Sequence, residues 1–176
     1  MKRFLTFVFV ATLLSLSEQS SDSSDHAAED ESSVRLQNGG PPPNYHYIRG
    51  VGYYKFETTQ RSFLNAQRYC QNSGANLAIL NSQAEAEAVA NYFRSLLPNE
   101  NELVRIGFGD FFGKGELFTV FGKSISCTGY LDWKAGEPSM RYERNCGWIN
   151  VNQEMGTGCC DCNKMFLCEY KAQKNC

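Results

Sequence analysis

The cysteine content of this 176-residue chain constrains its fold more than any other feature. All eight cysteines lie between positions 70 and 176, and four of them fall within residues 159–168. In an exported protein, an even number of cysteines is typical of a disulfide framework rather than of a set of metal ligands. The sequence therefore predicts a disulfide-stapled domain in the C-terminal part of the chain.

The N-terminus has the composition of a removable export signal. Lys2 and Arg3 precede an apolar run at residues 4–16, and Ser15 and Ser17 are small enough for a cleavage site. The run is shorter than the roughly 20 apolar residues that cross a bilayer. We therefore expect residues 1–17 to be a signal peptide, and the protein to be secreted and extracellular, with no membrane span.

Residues 18–46 form a second segment, rich in serine, aspartate and glutamate, with a run of glycine and proline at residues 39–43. Low hydrophobicity and clustered negative charge cannot offset the entropy that a chain loses on folding. We therefore expect a disordered acidic leader. Its composition favours a solubilising spacer over a binding tail or a propeptide.

Residues 47–176 are enough for one domain with a substantial core. Acidic and basic residues nearly balance there, so nucleic acid is not expected as a partner. Both histidines, His26 and His46, lie in the leader. A domain without histidine lacks the base of Ser-His and Cys-His catalysis, so we expect no enzyme activity and no catalytic residues.

Helical spacing of apolar residues predicts two helices early in this domain, at residues 60–72 and 83–96. The second follows a capping box formed by Ser82 and Glu85. The residues expected to face inward are Phe63, Ala66, Cys70, Ala86, Val89, Phe93 and Leu96.

Strands are expected on both sides of the helices. Aromatic and β-branched residues predict them at residues 47–57, 104–108 and 116–121, followed by a long irregular stretch. This order predicts an α+β domain with its helices early and antiparallel sheet late.

Several ordered motifs resemble those of C-type lectin-like domains. They are residues 77–86, Ile106-Gly107-Phe108, Trp133 with Gly136-Glu137-Pro138, and the ending Phe166-Leu167-Cys168-Glu169. More narrowly, residues 77–86 and 121–138 are similar to the arthropod secreted lectins, including haemolymph lipopolysaccharide-binding proteins. The resemblance covers residues 47–170. It implies the C-type lectin-like fold, with two early helices, antiparallel sheets and a long loop region.

The resemblance also implies which cysteines pair. In the family, a cysteine of the first helix pairs with the final one, which corresponds to Cys70 and Cys168. A second bridge corresponds to Cys146 and Cys160, although Cys159 fits that position almost as well.

The remaining cysteines are additions to the family's pattern. An extra bridge between Cys127 and Cys162 is one interpretation, and it leaves Cys176 to join another chain in a disulfide-linked oligomer. A zinc clip at residues 159–162 is the other, since thiolates bind zinc. An oxidising compartment favours the bridge.

In this family, a calcium ion and a sugar are bound together. Calcium takes about six to eight oxygen ligands, chiefly carboxylates and amides. Glu137 and Pro138 keep the family's motif, but Ser139 stands where an asparagine is usual and Arg144 where a glutamate is usual. Residues 155–157 occupy the place of the family's Trp-Asn-Asp. We therefore expect no metal and no cofactor.

A shifted calcium site is the alternative. Glu143 is one residue out of register and could join Glu137. The amides that could assist are Asn145, Asn150 and Asn152. Without the ion, Arg144 is expected to pair with Glu137 or Glu143.

The sequence therefore predicts a secreted lectin-like recognition protein that binds without the usual calcium site. Its partner is expected to be carbohydrate, lipopolysaccharide or another protein, as in pattern recognition by innate immunity. The candidate ligand-binding residues are Glu137, Ser139, Glu143, Arg144, Asn145 and Asn150. Two alternatives stay open: a calcium-dependent lectin that uses Glu137 and Glu143, and a subunit of a structural assembly.

Overall fold

Eight strands and two helices form residues 40–171, the part of the chain that this computed structural model describes. The helices are α1 (Phe63–Gln71) and α2 (Gln83–Arg94), and both precede the fourth strand. The strands are β1 (His46–Ile48), β2 (Gly52–Arg61), β3 (Asn76–Leu77), β4 (Val104–Asp110), β5 (Phe118–Thr119), β6 (Asn145–Ile149), β7 (Met155–Cys159) and β8 (Lys164–Tyr170). The predicted α+β class, with early helices, is confirmed.

The strands belong to one mixed sheet in the order β1-β2-β8-β4-β6-β7, with β3 added to β8 and β5 added to β4. Strand β2 therefore lies beside β8, so that the two ends of the domain meet. The pairs are antiparallel, as expected, except that β4 runs parallel to β8 where Arg105 lies opposite Phe166. Strand β8 occupies the middle of the sheet.

Helix α1 is shorter than predicted at its start. Strand β2 continues to Arg61, so the helix begins at Phe63 after the N-cap Ser62. Its inner face is the predicted one, because Phe63, Ala66 and Cys70 are buried. Gly74 then takes a positive φ of 71°, a conformation that glycine adopts without strain.

Helix α2 begins where the capping box predicted. The Ser82 hydroxyl accepts a hydrogen bond from the Glu85 N–H at 3.2 Å. The expected inner residues Ala86, Val89 and Phe93 are buried. The prediction that Leu96 faces inward is wrong, because its side chain is 47% exposed. The helix ends at Arg94, so the helical spacing that placed Leu96 inside does not extend to it.

Two apolar clusters form the core. The larger lies between α2 and the sheet and includes Phe93, Ile106 and Leu167. The smaller lies under α1 and includes Phe63 and Phe166. Full burial of such side chains contributes about 1.5 to 3 kcal/mol each.

Strand β1 begins at His46, one residue before the boundary expected at residue 47. The Tyr45 hydroxyl also lies 2.9 Å from the Ser73 hydroxyl. The expected signal peptide, residues 18–39 of the expected leader and Cys176 lie outside the described residues. Within residues 40–171, no helix is long and apolar enough to cross a membrane.

The structure contains the two disulfides that the resemblance implied. Cys70–Cys168 joins α1 to β8 across 98 positions of sequence, and Cys146–Cys160 joins β6 to the turn after β7 across 14 positions. In the second bridge Cys160, rather than Cys159, is the partner of Cys146.

The expected bridge between Cys127 and Cys162 is wrong. Cys162 pairs with Cys159, three positions away, because the tight turn from β7 into β8 brings these two residues together. Cys127 lies on a separate loop, in the short 3-10 helix Ile125–Cys127, and is exposed and unpaired in the described structure. The disulfide also replaces the zinc clip considered for residues 159–162.

We predict that the long-range bridge Cys70–Cys168 contributes more to stability than the short-range bridge Cys159–Cys162. Replacing Cys70 and Cys168 together by alanine should lower the free energy of unfolding by about 4 to 5 kcal/mol, because this bridge closes a long loop in the unfolded chain. Replacing Cys159 and Cys162 together should cost about 2 kcal/mol, since that loop is short. Urea unfolding followed by tryptophan fluorescence measures both values, and equal losses would contradict the explanation.

Candidate functional site

The carboxylate of Glu137 is turned toward β7 and held there by hydrogen bonds. Its Oε2 accepts from the N–H groups of Ser139 and Thr157, both at 2.9 Å, and from the Thr157 hydroxyl at 3.0 Å. Burial alone would raise the pKa of Glu137, but the donors on Thr157 and Ser139 outweigh burial and place this pKa below its usual value. Glu137 therefore anchors its loop to β7 as an ionised acceptor.

Thr157 takes the position that the resemblance gives to the family's aspartate. Its side chain is buried and its hydroxyl also accepts a hydrogen bond from the Ser139 N–H at 3.0 Å. The neighbouring Gly156 lies against the ring of Trp148, which a Cβ at position 156 would overlap. The Trp148 indole N–H donates to the Thr157 carbonyl at 2.9 Å. Residues 155–157 are thus a packed strand segment.

Arg144 does not pair with Glu137 or Glu143, and that expectation is wrong. Its guanidinium donates to the carboxylate of Asp161, with Nη2 at 2.9 Å from Oδ2 and at 3.2 Å from Oδ1. The β6–β7 hairpin brings the two residues near each other: Asn145 lies opposite Cys159, and Arg144 and Asp161 are one and two residues beyond that pair. Both side chains are exposed, and such a pair contributes only about 0 to 1 kcal/mol.

The two candidate asparagines lie at opposite ends of β6 and both stabilise loops. The Asn145 side chain accepts from the Tyr142 N–H at 3.1 Å and donates to the Tyr142 carbonyl at 2.6 Å. The Asn150 Oδ1 accepts from the N–H groups of Asn152 and Glu154. Both side chains are buried. The structure therefore does not bring Asn145 and Asn150 together around Glu137.

The oxygen atoms near Glu137 do not have the arrangement of a calcium site. Calcium requires about six to eight oxygen ligands. Glu137 is held by β7, Glu143 is exposed farther along the same loop, and the residue after it is the cation Arg144. Among residues 40–171, no group of three or more His, Cys, Asp and Glu side chains is arranged to hold a metal ion.

An apolar groove of about 530 Å³ lies beside the Glu137 loop. Its apolar lining consists of Leu117, Phe118, Ile125, Leu131, Trp133, Pro138 and Met140. The Trp133 ring packs edge-on against Phe108, with ring centroids 5.8 Å apart, and this contact fixes one wall. The groove is not predicted by the sequence. Its only signal was a set of apolar residues in loops, without helical or strand periodicity.

Asp110 holds the turn that forms one edge of the groove. Its carboxylate accepts from the N–H of Lys114 at 3.0 Å and from that of Gly115 at 2.8 Å. Burial alone would raise the pKa of Asp110, but these backbone donors outweigh it and lower this pKa. The groove edge, like the Glu137 loop, is therefore fixed by an ionised carboxylate that accepts backbone hydrogen bonds.

We predict that Glu137→Gln lowers the free energy of unfolding by about 1 to 3 kcal/mol at neutral pH, because a charged acceptor is replaced by a neutral one. Since the folded state lowers the pKa of Glu137, the carboxylate's contribution is present above the ordinary value of 4.5 and is lost as pH falls through the folded-state pKa. The difference between variant and wild type should therefore shrink in acid. Urea unfolding at a series of pH values measures it.

The matched control for this prediction is Glu143→Gln. Glu143 is exposed, so the change should alter the free energy of unfolding by no more than about 0.5 kcal/mol at any pH. A Glu137→Gln effect that stays constant from neutral to acid pH would contradict the assigned role of the carboxylate.

Comparison with known proteins gives a consistent result. Residues 59–170 match the family model described as the lectin C-type domain. The hemolymph lipopolysaccharide-binding protein of Periplaneta americana is 32% identical over 136 residues, which cover 74% of this chain and 53% of that protein. The chain spans about half the length of the curated relatives it matches.

Solved structures share the fold. The mouse scavenger receptor C-type lectin carbohydrate-recognition domain has a TM-score of 0.63 and 21% identity, over 76% of this chain and 98% of that one. Human lithostathine has a TM-score of 0.63 and 23% identity, over 84% and 99%. With the match to the family model, the order of the elements and the disulfides Cys70–Cys168 and Cys146–Cys160, these likenesses show that the chain belongs to the C-type lectin domain family.

Proposed function

We propose that this protein is a secreted lectin-like recognition protein that binds carbohydrate-bearing components of microbial surfaces, lipopolysaccharide among them, without calcium at the Glu137 loop. The name of the 32% identical relative supports the ligand class. The three disulfides support secretion, because disulfides persist in oxidising compartments. The matched relatives are lectins and binding proteins, which supports a role other than catalysis.

The calcium-free part of the proposal rests on the hydrogen bonds that Thr157 on β7 donates to the Glu137 carboxylate. The donors on Ser139 and Thr157 occupy Oε2, which leaves only Oε1 of this carboxylate for an ion. The nearby Arg144 is a cation, and its pairing with Asp161 neutralises another carboxylate of this region. The loop is thus held by hydrogen bonds that need no metal.

The binding face in this proposal is formed by residues 111–142. Four of the large apolar side chains exposed on the described surface lie in this segment: Phe112, Phe121, Leu131 and Tyr142. Exposed apolar side chains that gather beside a groove mark interaction sites more often than isolated ones do. The regular elements α1, α2 and β8 lie elsewhere and form the support of this face.

We predict that binding to immobilised lipopolysaccharide is the same in calcium as in excess chelator. Surface plasmon resonance with the full chain measures the dissociation constant in both buffers. Since Glu143 has no part in the proposed site, Glu143→Gln should bind as wild type does. Loss of binding in chelator, together with loss in Glu143→Gln, would establish the calcium-dependent alternative instead.

A further inference from the structure

The groove beside the Glu137 loop has the lining of a site for a hydrocarbon chain. Its volume of about 530 Å³ is within the range of small-molecule sites, about 300 to 1,000 Å³. The polar side chains that line it are those of Glu116 and Ser124. A sugar ring needs several convergent donors and acceptors, and this lining supplies few. An acyl chain needs only the apolar wall.

Apolar surface continues from the groove onto the adjoining loop. Phe118 lines the groove, and the exposed ring of Phe112 packs edge-on against it with ring centroids 6.0 Å apart. Leu131, on another wall, is 41% exposed although it lies among apolar neighbours. These side chains expose apolar area to water. A bound hydrocarbon chain would cover this area, and the binding free energy gained is proportional to the area removed from water.

Basic residues flank the lining of the groove in sequence. Each of four exposed cations is next in sequence to a residue that lines it: Lys114, Lys123, Lys134 and Arg141. Among residues 40–171, none of the four is in an ion pair. The acidic residues of the same stretch are Asp110, Glu116, Asp132, Glu137 and Glu143, and the carboxylates of Asp110 and Glu137 already accept backbone hydrogen bonds. Four cations outside ion pairs therefore accompany three carboxylates that are not held in this way. A ligand with anionic groups next to its apolar part matches this arrangement.

We propose that the groove holds an acyl chain of an anionic glycolipid, while the phosphate groups of the headgroup contact the flanking lysine and arginine side chains. The inference rests on the proposed function and assigns the recognised part of the ligand to its lipid and phosphate rather than to its outer sugars. The hydrogen bonds of Glu137 and Asp110 hold two edges of the groove in place before the lipid binds.

The test compares three probes on the full chain by surface plasmon resonance: lipid A, its fully deacylated phosphorylated disaccharide, and dephosphorylated lipid A. Lipid A should bind most tightly, and each of the other two should bind about tenfold or more weakly, because each lacks one of the two contacts. Equal affinity for lipid A and the deacylated disaccharide would overturn the proposal. Intact lipopolysaccharide is measured in parallel, and its failure to bind would refute the proposed function instead.

Two matched variants locate the site. Leu131→Gln should weaken lipid A binding about tenfold, whereas Leu96→Gln should leave it unchanged, since Leu96 is similarly exposed, at 47%, but lies after α2 and outside the groove. Lys134→Gln should weaken binding and reduce its salt dependence, whereas Arg68→Gln on α1 should not. If Leu131→Gln binds lipid A as wild type does but changes the mass measured by light scattering, the groove is a contact between copies of the chain and the proposal is wrong.

Discussion

The disulfide between Cys70 and Cys168 is the constraint on which the rest of the domain depends. It fixes α1 to β8, and β8 pairs with β2, β3 and β4 in the middle of the sheet. Both ends of the domain are therefore held at one place. Because this frame is closed, residues 111–144 need little regular structure of their own: they contain only β5 and the short 3-10 helix Ile125–Cys127. A long loop region can then serve as a binding face.

A buried arginine connects the core to the turn that follows β7. Arg105 on β4 is 1% exposed, and its guanidinium Nη2 donates to the carbonyls of Cys159 and Cys162, at 3.2 and 2.7 Å. Burial lowers the pKa of Arg105 to about 10, so the side chain is still charged at neutral pH. Two carbonyls of one turn thus receive a charged donor from inside the protein. The same turn carries Asp161, the partner of Arg144, so β4 helps to position the surface next to the candidate site.

The sequence was informative where a local rule applies and uninformative where register decides. The inner faces of α1 and α2 follow from helical spacing, and the Cys70–Cys168 bridge follows from a resemblance that spans the domain. The pair Arg144–Asp161 depends on how the β6–β7 hairpin brings the loop before β6 next to the turn after β7, which no local pattern specifies. The groove draws its walls from four short segments within residues 115–140, near Leu117, Ile125, Leu131 and Met140, and none of these segments is periodic.

Glu137 explains how a family motif can be kept while its usual ligands are replaced. As an acceptor for Ser139 and Thr157, the half-buried carboxylate is stabilised by the fold itself, because hydrogen-bond donors offset the cost of removing part of a charge from water. These hydrogen bonds fix the two residues on either side of Ser139, Pro138 and Met140, which line the groove. The same hydrogen bonds to Glu137 therefore occupy its carboxylate and hold the apolar wall beside it in place.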